Sequence, residues 1–273
     1  MTKTVSGLLA GAALLFVLSG CEGLVFHPDK KVYATPEDFN LTYREAVFQS
    51  ADGTRLSGWW IEPEAGPKGT VLVAHGNAQN ISAHFSLFDW LVRSGYEVFI
   101  FDYRGYGKSE GEPDLEGSVR DTRAALGYVL KGSRVSGSDR ISLAVFDSAF
   151  ASLPQAGQDA LSRTFLTWPF QWSAYLSFTD AYDPIEVAAS LNVPKLFIAG
   201  SQDTVISPNH SWQLFDASVR PRAFWLVGDA KHIGAFSDPR VQRRFLAFLR
   251  NPDFDADVSA MLIFDTITPK INE

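Results

Sequence analysis

Four short apolar runs constrain the fold most. They are "GTVLVAHG" (69–76), "YEVFIFD" (96–102), "PKLFIAG" (194–200) and "RAFWLVG" (222–228). Each is too short for a core helix and lacks the in–out alternation of a one-sided strand. Each therefore reads as a strand buried on both faces. "RISLAVF" (140–146) reads as a fifth. Between these runs apolar residues recur at helical spacing: Ile81, Phe85, Phe88 and Leu91 within 79–93, and Leu115, Val119, Ala125, Tyr128 and Val129 within 115–131. "PNHSWQLFDAS" and "DPRVQRRFLAFLR" add two more helices. Strands alternating with amphipathic helices imply an α/β fold with a mostly parallel sheet and helices on both faces. "LTYREAVFQS" and "TRLSGWWIEP", joined through "ADG", predict an antiparallel hairpin ahead of that sheet. Residues 150–190 are aromatic-rich and read as helical in pieces. The segment 164–182 is expected to pack in a core, with the lining of an apolar ligand pocket as the alternative.

The first 20 residues read as a targeting segment. Lys3 precedes the apolar run "GLLAGAALLFVLSG", which ends at Cys21, the single cysteine of the chain. A run this short, closed by small residues, fits a signal peptide better than a spanning helix. "LSGC" resembles the lipobox of bacterial lipoproteins, which implies cleavage before Cys21 and a lipid on its sulfur. An uncleaved anchor helix is the alternative, and both readings set the protein beside a membrane. The expected place is the bacterial cell envelope, on the periplasmic side. The net charge of −7 would become −8 once Lys3 is removed with residues 1–20, which carry no acid. Such a balance argues against a nucleic-acid partner and leaves lipid rather than charge to do the anchoring. Residues 21–41 are expected to be an anchor and linker, 42–250 one α/β domain, and 251–273 a C-terminal tail.

In such sheets the chemistry sits at the carboxyl ends of the strands. The residues there are His75-Gly76-Asn77, Asp102, Asp147-Ser148, Ser201-Gln202-Asp203 and Asp229 to His232. Singly, an aspartate after a strand is more often a turn or cap residue than a catalyst. His75 reads as structural. His27, His84 and His210 show no metal-ligand spacing and read as incidental. No metal and no organic cofactor is expected.

"AHGNAQN" (74–80), "DYRGYGKSEGEP" (102–113), "GSQDTVISP" (200–208) and "GDAKHIGAF" (228–236) stand in an order that resembles the α/β hydrolases, and among them bacterial lipoprotein-type serine hydrolases. The resemblance spans residues 30 to 250. It implies Asp203 as the acid and His232 as the base of a catalytic triad, with the backbone N–H of Asn77 as one oxyanion donor. The expected ligand is a small ester, thioester or amide.

The nucleophile is the open question. "GKSEG" (107–111) matches Gly-x-Ser-x-Gly, but Ser109 lies seven residues past the strand end at Asp102, in a glycine-rich loop rather than a sharp strand-to-helix turn. The elbow is expected after the next strand, where the chain runs from "DRI" almost directly into "AVFDSAF". One β–α unit, on the order of 25 residues, is missing there. Ser148 is a weak substitute, because Phe146 and Phe150 flank it where an elbow needs small residues. Ser142, inside the strand, is weaker still. The sequence therefore predicts a hydrolase-family protein without its elbow, and hence inactive. The alternatives are an enzyme using a non-standard serine and a ligand-binding lipoprotein.

Overall fold

A computed structural model describes residues 25–135, 141–163, 165, 167–177, 182–252 and 254, with the backbone alone at Phe170, Leu176 and Ser177. Cys21, the signal segment and nearly all of the C-terminal tail lie outside the described residues. The chain forms two compact units, with the boundary between Arg140 and Ile141.

The first unit opens with β1 (His27–Pro28), followed by a 3-10 turn at Pro36–Phe39. The hairpin is β2 (Thr42–Gln49) and β3 (Arg55–Glu62), antiparallel in the register Gln49 to Arg55. Its turn closes because Asp52 Oδ1 accepts from the Thr54 N–H and hydroxyl and because Gly53 takes φ +88. β4 (Thr70–Ala74), β5 (Ala78–Gln79) and β6 (Glu97–Asp102) follow. The sheet order is β2-β3-β6-β4, with β6 antiparallel to β3 and parallel to β4. All six residues of β6 are buried, as an apolar run with neighbours on both sides requires. Trp60, Phe99, Phe101 and Phe48 form the core against it. Gly58 is required here, since a Cβ would stand 2.8 Å from the Ile100 carbonyl oxygen.

The helix expected over 79–93 is broken into α1 (Ile81–His84), a 3-10 turn and α2 (Asp89–Arg93). Phe88, with φ −122 and ψ 1, leaves helical geometry between them. α3 (Leu115–Gly132) is continuous. Asp114 caps it by accepting from the Gly117 N–H, and Ala125 and Val129 face the core.

Residues from Val25 to Leu41 are not the plain linker that composition suggested. β1 pairs in parallel with β5. Asn80 Nδ2 donates to Asp29 Oδ1 at 2.7 Å and to the Lys31 carbonyl at 2.8 Å, and the Tyr33 N–H donates to Ser82 Oγ. These contacts tie the segment to the loop after β4, a long-range pairing that local composition does not signal.

The second unit holds β7 (Ala144–Asp147), α4 (Leu153–Ser162), a 3-10 turn (Trp168–Ser173), α5 (Ala174–Ser177) and α6 (Pro184–Ser190). β8 (Lys195–Gly200), α7 (Pro208–Ala217), β9 (Arg222–Val227) and α8 (Pro239–Arg250) complete it. The sheet is β7-β8-β9, parallel throughout, and β8 is buried along its whole length. Phe146 stacks on Phe197 at 4.9 Å between ring centres, and Leu214 and Phe215 of α7 cover them. α8 lays Phe245 and Phe248 edge-on against Trp225.

Among the described residues the strands thus form a two-stranded, a four-stranded and a three-stranded sheet. The strand expected over 140–146 shortens to Ala144–Asp147, and Val145 is 39% exposed.

Candidate active site

Two loops at the carboxyl ends of β8 and β9 build the centre of the site. The first, Ser201 to Ile206, folds around Asp203. Its Oδ1 accepts from the N–H groups of Val205 and Ile206, both at 2.8 Å. That fixes the carboxylate and leaves Oδ2 to accept from His232 Nδ1 at 2.8 Å. The second loop carries the histidine. Asp229 and Ile233 both take positive φ, 58 and 46, and turn the chain sharply on either side of His232. The loops are laced together: the Gln202 N–H donates to the Ala230 carbonyl, the Asp229 N–H to Ser201 Oγ, and Gln202 Nε2 to Asp229 Oδ1. Gly200 permits this approach, because a Cβ there would collide with the Ala230 carbonyl.

The electrostatic consequence is definite. An ionised carboxylate only accepts, so Nδ1 carries the proton and Nε2 of His232 keeps its lone pair. That is the tautomer of a general base. The Asp203 side chain is 1% exposed while that of His232 is 32% exposed, so the imidazole reaches solvent.

Ser148 stands beside this pair. It follows β7 directly, takes φ +53 and is 6% exposed. Its hydroxyl donates to Asp147 Oδ1 at 3.1 Å and accepts from the Ile233 N–H, also at 3.1 Å. The Asp147 carboxyl is pushed up to about 6, first by desolvation, against which its Ser148 hydrogen bond and the nearby His232 act, while Asp203 adds to the rise. Among the described hydrogen bonds the Ser148 hydroxyl is thus engaged with Asp147 and the Ile233 backbone rather than with the His232 side chain. The sequence placed Asp147 among the residues that follow a strand but assigned it no role. A lone aspartate after a strand carries no signal of its own, and its proximity to the His232 loop arises only through folding.

The other candidates lie in the first unit. Ser109 is 1% exposed; its Oγ donates to the Asp102 carbonyl at 2.7 Å and accepts from the Ser57 N–H at 3.0 Å. That hydroxyl pins the loop after β6 to β3. Asn77 is exposed, with its carbonyl accepting from the Tyr106 hydroxyl and the His27 N–H. His75 is buried, its Nδ1 against the Gly76 carbonyl, and desolvation holds its imidazole down at about 3. It is therefore neutral at physiological pH.

Two histidines read as incidental have structural roles. His84 stacks on His75 and bonds the Ala78 carbonyl through Nε2. His210 is 1% exposed and links the Ala151 N–H to Asp159. The aromatic segment also departs from expectation. Phe165, Trp168, Trp172 and Tyr175 all face solvent instead of packing in a core. Among the described residues no group of three or more His, Cys, Asp or Glu side chains could hold a metal ion, and no helix is long and apolar enough to cross a membrane.

Known proteins share this architecture. Residues 65–144 match the family described as serine aminopeptidase, S33. The chain is 34% identical to the uncharacterized protein YfhR of Escherichia coli K12, with 82% of this chain and 87% of that protein covered. It is 31% identical to the alpha/beta hydrolase domain-containing protein WAV2 of Arabidopsis thaliana, covering 76% and 78%. Among solved structures it resembles an esterase of Pyrococcus furiosus with a TM-score of 0.66 at 21% identity, over 83% of this chain and 98% of that one. An acetyl xylan esterase of Paenibacillus gives a TM-score of 0.61 at 17% identity, over 77% and 84%. Parallel strands with chemistry-bearing loops at their carboxyl ends, together with these relatives, identify the chain as a member of the α/β-hydrolase family.

Proposed function

We propose that this protein is a membrane-anchored α/β-hydrolase relative that keeps an acid–base pair but has lost serine acyl transfer. The observation that carries the reading is the state of the two groups that should meet. His232 is oriented by Asp203 with Nε2 available, while the Ser148 hydroxyl is held by Asp147 and Ile233. Covalent catalysis needs the nucleophile hydrogen-bonded to the base, and an oxyanion donor follows that nucleophile in the chain. Losing one oxyanion donor alone costs about two to three orders of magnitude in rate.

One further observation supports a missing β–α unit. The alignment with the E. coli relative runs over 261 positions yet takes up 82% of this 273-residue chain, about 224 residues, so about 37 positions have no residue here. Cys21 would carry the lipid that holds the protein at the membrane.

A second reading is favoured by one feature. Ser148 occupies a left-handed turn between a strand and a helix, the kind of strained position that presents a nucleophile. A rotation of its side chain away from Asp147 would then have to bring it to His232. Reaction of the full chain with a fluorophosphonate probe separates the readings. No adduct on a folded sample supports lost chemistry, and an adduct on Ser148 establishes the second reading.

A further inference from the structure

Residues 165–175 place four large aromatic side chains in solvent. Phe165 is 95% exposed, Trp168 54%, Trp172 59% and Tyr175 56%. Trp168 and Trp172 lie on the 3-10 turn and Tyr175 on α5, while Ala174 is 1% exposed. So dense a run of exposed aromatic side chains marks an interaction site rather than ordinary surface. From Thr164 through Thr179 the chain carries no charged side chain.

We propose that this aromatic run seats in the headgroup layer of a lipid bilayer. Tryptophan and tyrosine favour the membrane–water boundary, where an apolar ring and a polar edge are both accommodated. The Trp172 indole N–H already donates to the Pro169 carbonyl at 3.1 Å, so the ring enters a drier layer without an orphaned donor. The lack of charge removes the desolvation cost of insertion. It also suits a chain of net charge −7, which gains nothing from anionic lipid.

The inference rests on the membrane-anchored reading, and the length of chain at the anchor supports it. Six residues lead from Cys21 to His27, a reach of at most about 22 Å at 3.6 Å per residue, and β1 is bonded to β5. A lipid on Cys21 therefore keeps the protein at the bilayer. Tethering raises the local lipid concentration, so that a weak interfacial contact is populated.

The test uses the full chain in phosphatidylcholine vesicles, with brominated or ordinary acyl chains, and reads tryptophan emission alongside vesicle flotation. Trp168 and Trp172 are two of seven tryptophans. Brominated lipid should lower the emission by roughly a quarter if both rings sit at the interface. The variant Trp168→Ser/Trp172→Ser, altered only at exposed positions, should float equally and show no such loss. Flotation with equal emission in both lipids overturns docking but leaves the anchor intact. Failure to float, with no quenching, overturns both. A loss of emission that tracks protein concentration without lipid assigns the run to a second copy of the chain, and that also overturns the proposal.

Discussion

Asp147 is the residue whose chemistry the fold alters most usefully for a test. Its carboxyl rises from 3.8 to about 6, chiefly through desolvation. Between those values the native state holds the proton more tightly than the unfolded chain. The contribution of this group to stability is therefore full below pH 3.8 and falls as pH rises through about 6. Asp147→Asn keeps a carbonyl oxygen for the Ser148 hydroxyl. It should raise stability at neutral pH by about 1–3 kcal/mol and change little near pH 4. Urea melts of both proteins at the two pH values check this, and a less stable variant at neutral pH would contradict it. A second residue-scale prediction concerns Ser109. Ser109→Ala leaves the Ser57 N–H unpaired in a buried setting and should cost about 1–3 kcal/mol, read as a lower denaturation midpoint, with no effect on probe labelling. That Asp203 and His232 come together was legible in the sequence, because their flanking motifs stand in family order. Asp147 was legible only as a strand-end residue, because which loop it meets is decided by folding.

At the scale of elements, the loop from Asp102 to Asp114 is held by a buried arginine. Arg104 donates through Nε and Nη2 to both oxygens of Asp121, at 3.0 and 2.8 Å, and pairs with Asp52 at 2.9 Å. Asp121 is fully buried on α3. Arg104→Ala would strand that carboxylate and should cost about 3–5 kcal/mol, far more than a surface ion pair. Chemical denaturation measures it, and a loss below about 1 kcal/mol would show the network to be solvent-screened. The buried strands and the hairpin were legible from apolar runs and turn residues. The breaks in the 79–93 helix were not, since Phe88 fits the helical spacing while its backbone leaves the helix. Nor was the pairing of β1 with β5, which depends on Asn80 reaching back about fifty positions to Asp29 and Lys31.

At the scale of the molecule, the α/β-hydrolase fold is carried by two compact units, each with its own sheet and its own core. Two compact units with separate cores also predict separate opening. Hydrogen exchange followed by mass spectrometry should show Arg104→Ala releasing protection in β6 and α3 while β8 keeps its own; an equal loss in β8 would contradict this. The sequence signalled the buried strands and the hairpin but not how the strands divide into sheets, because pairing partners lie far apart in the chain. The central claim is that the acid–base pair has no nucleophile to serve. Labelling of the folded full chain with a fluorophosphonate probe, beside His232→Ala, Ser148→Ala and a heat-denatured control, tests it most directly. The account predicts no labelling above the denatured control in any sample. Labelling that disappears in both His232→Ala and Ser148→Ala would contradict it and make Ser148 the nucleophile.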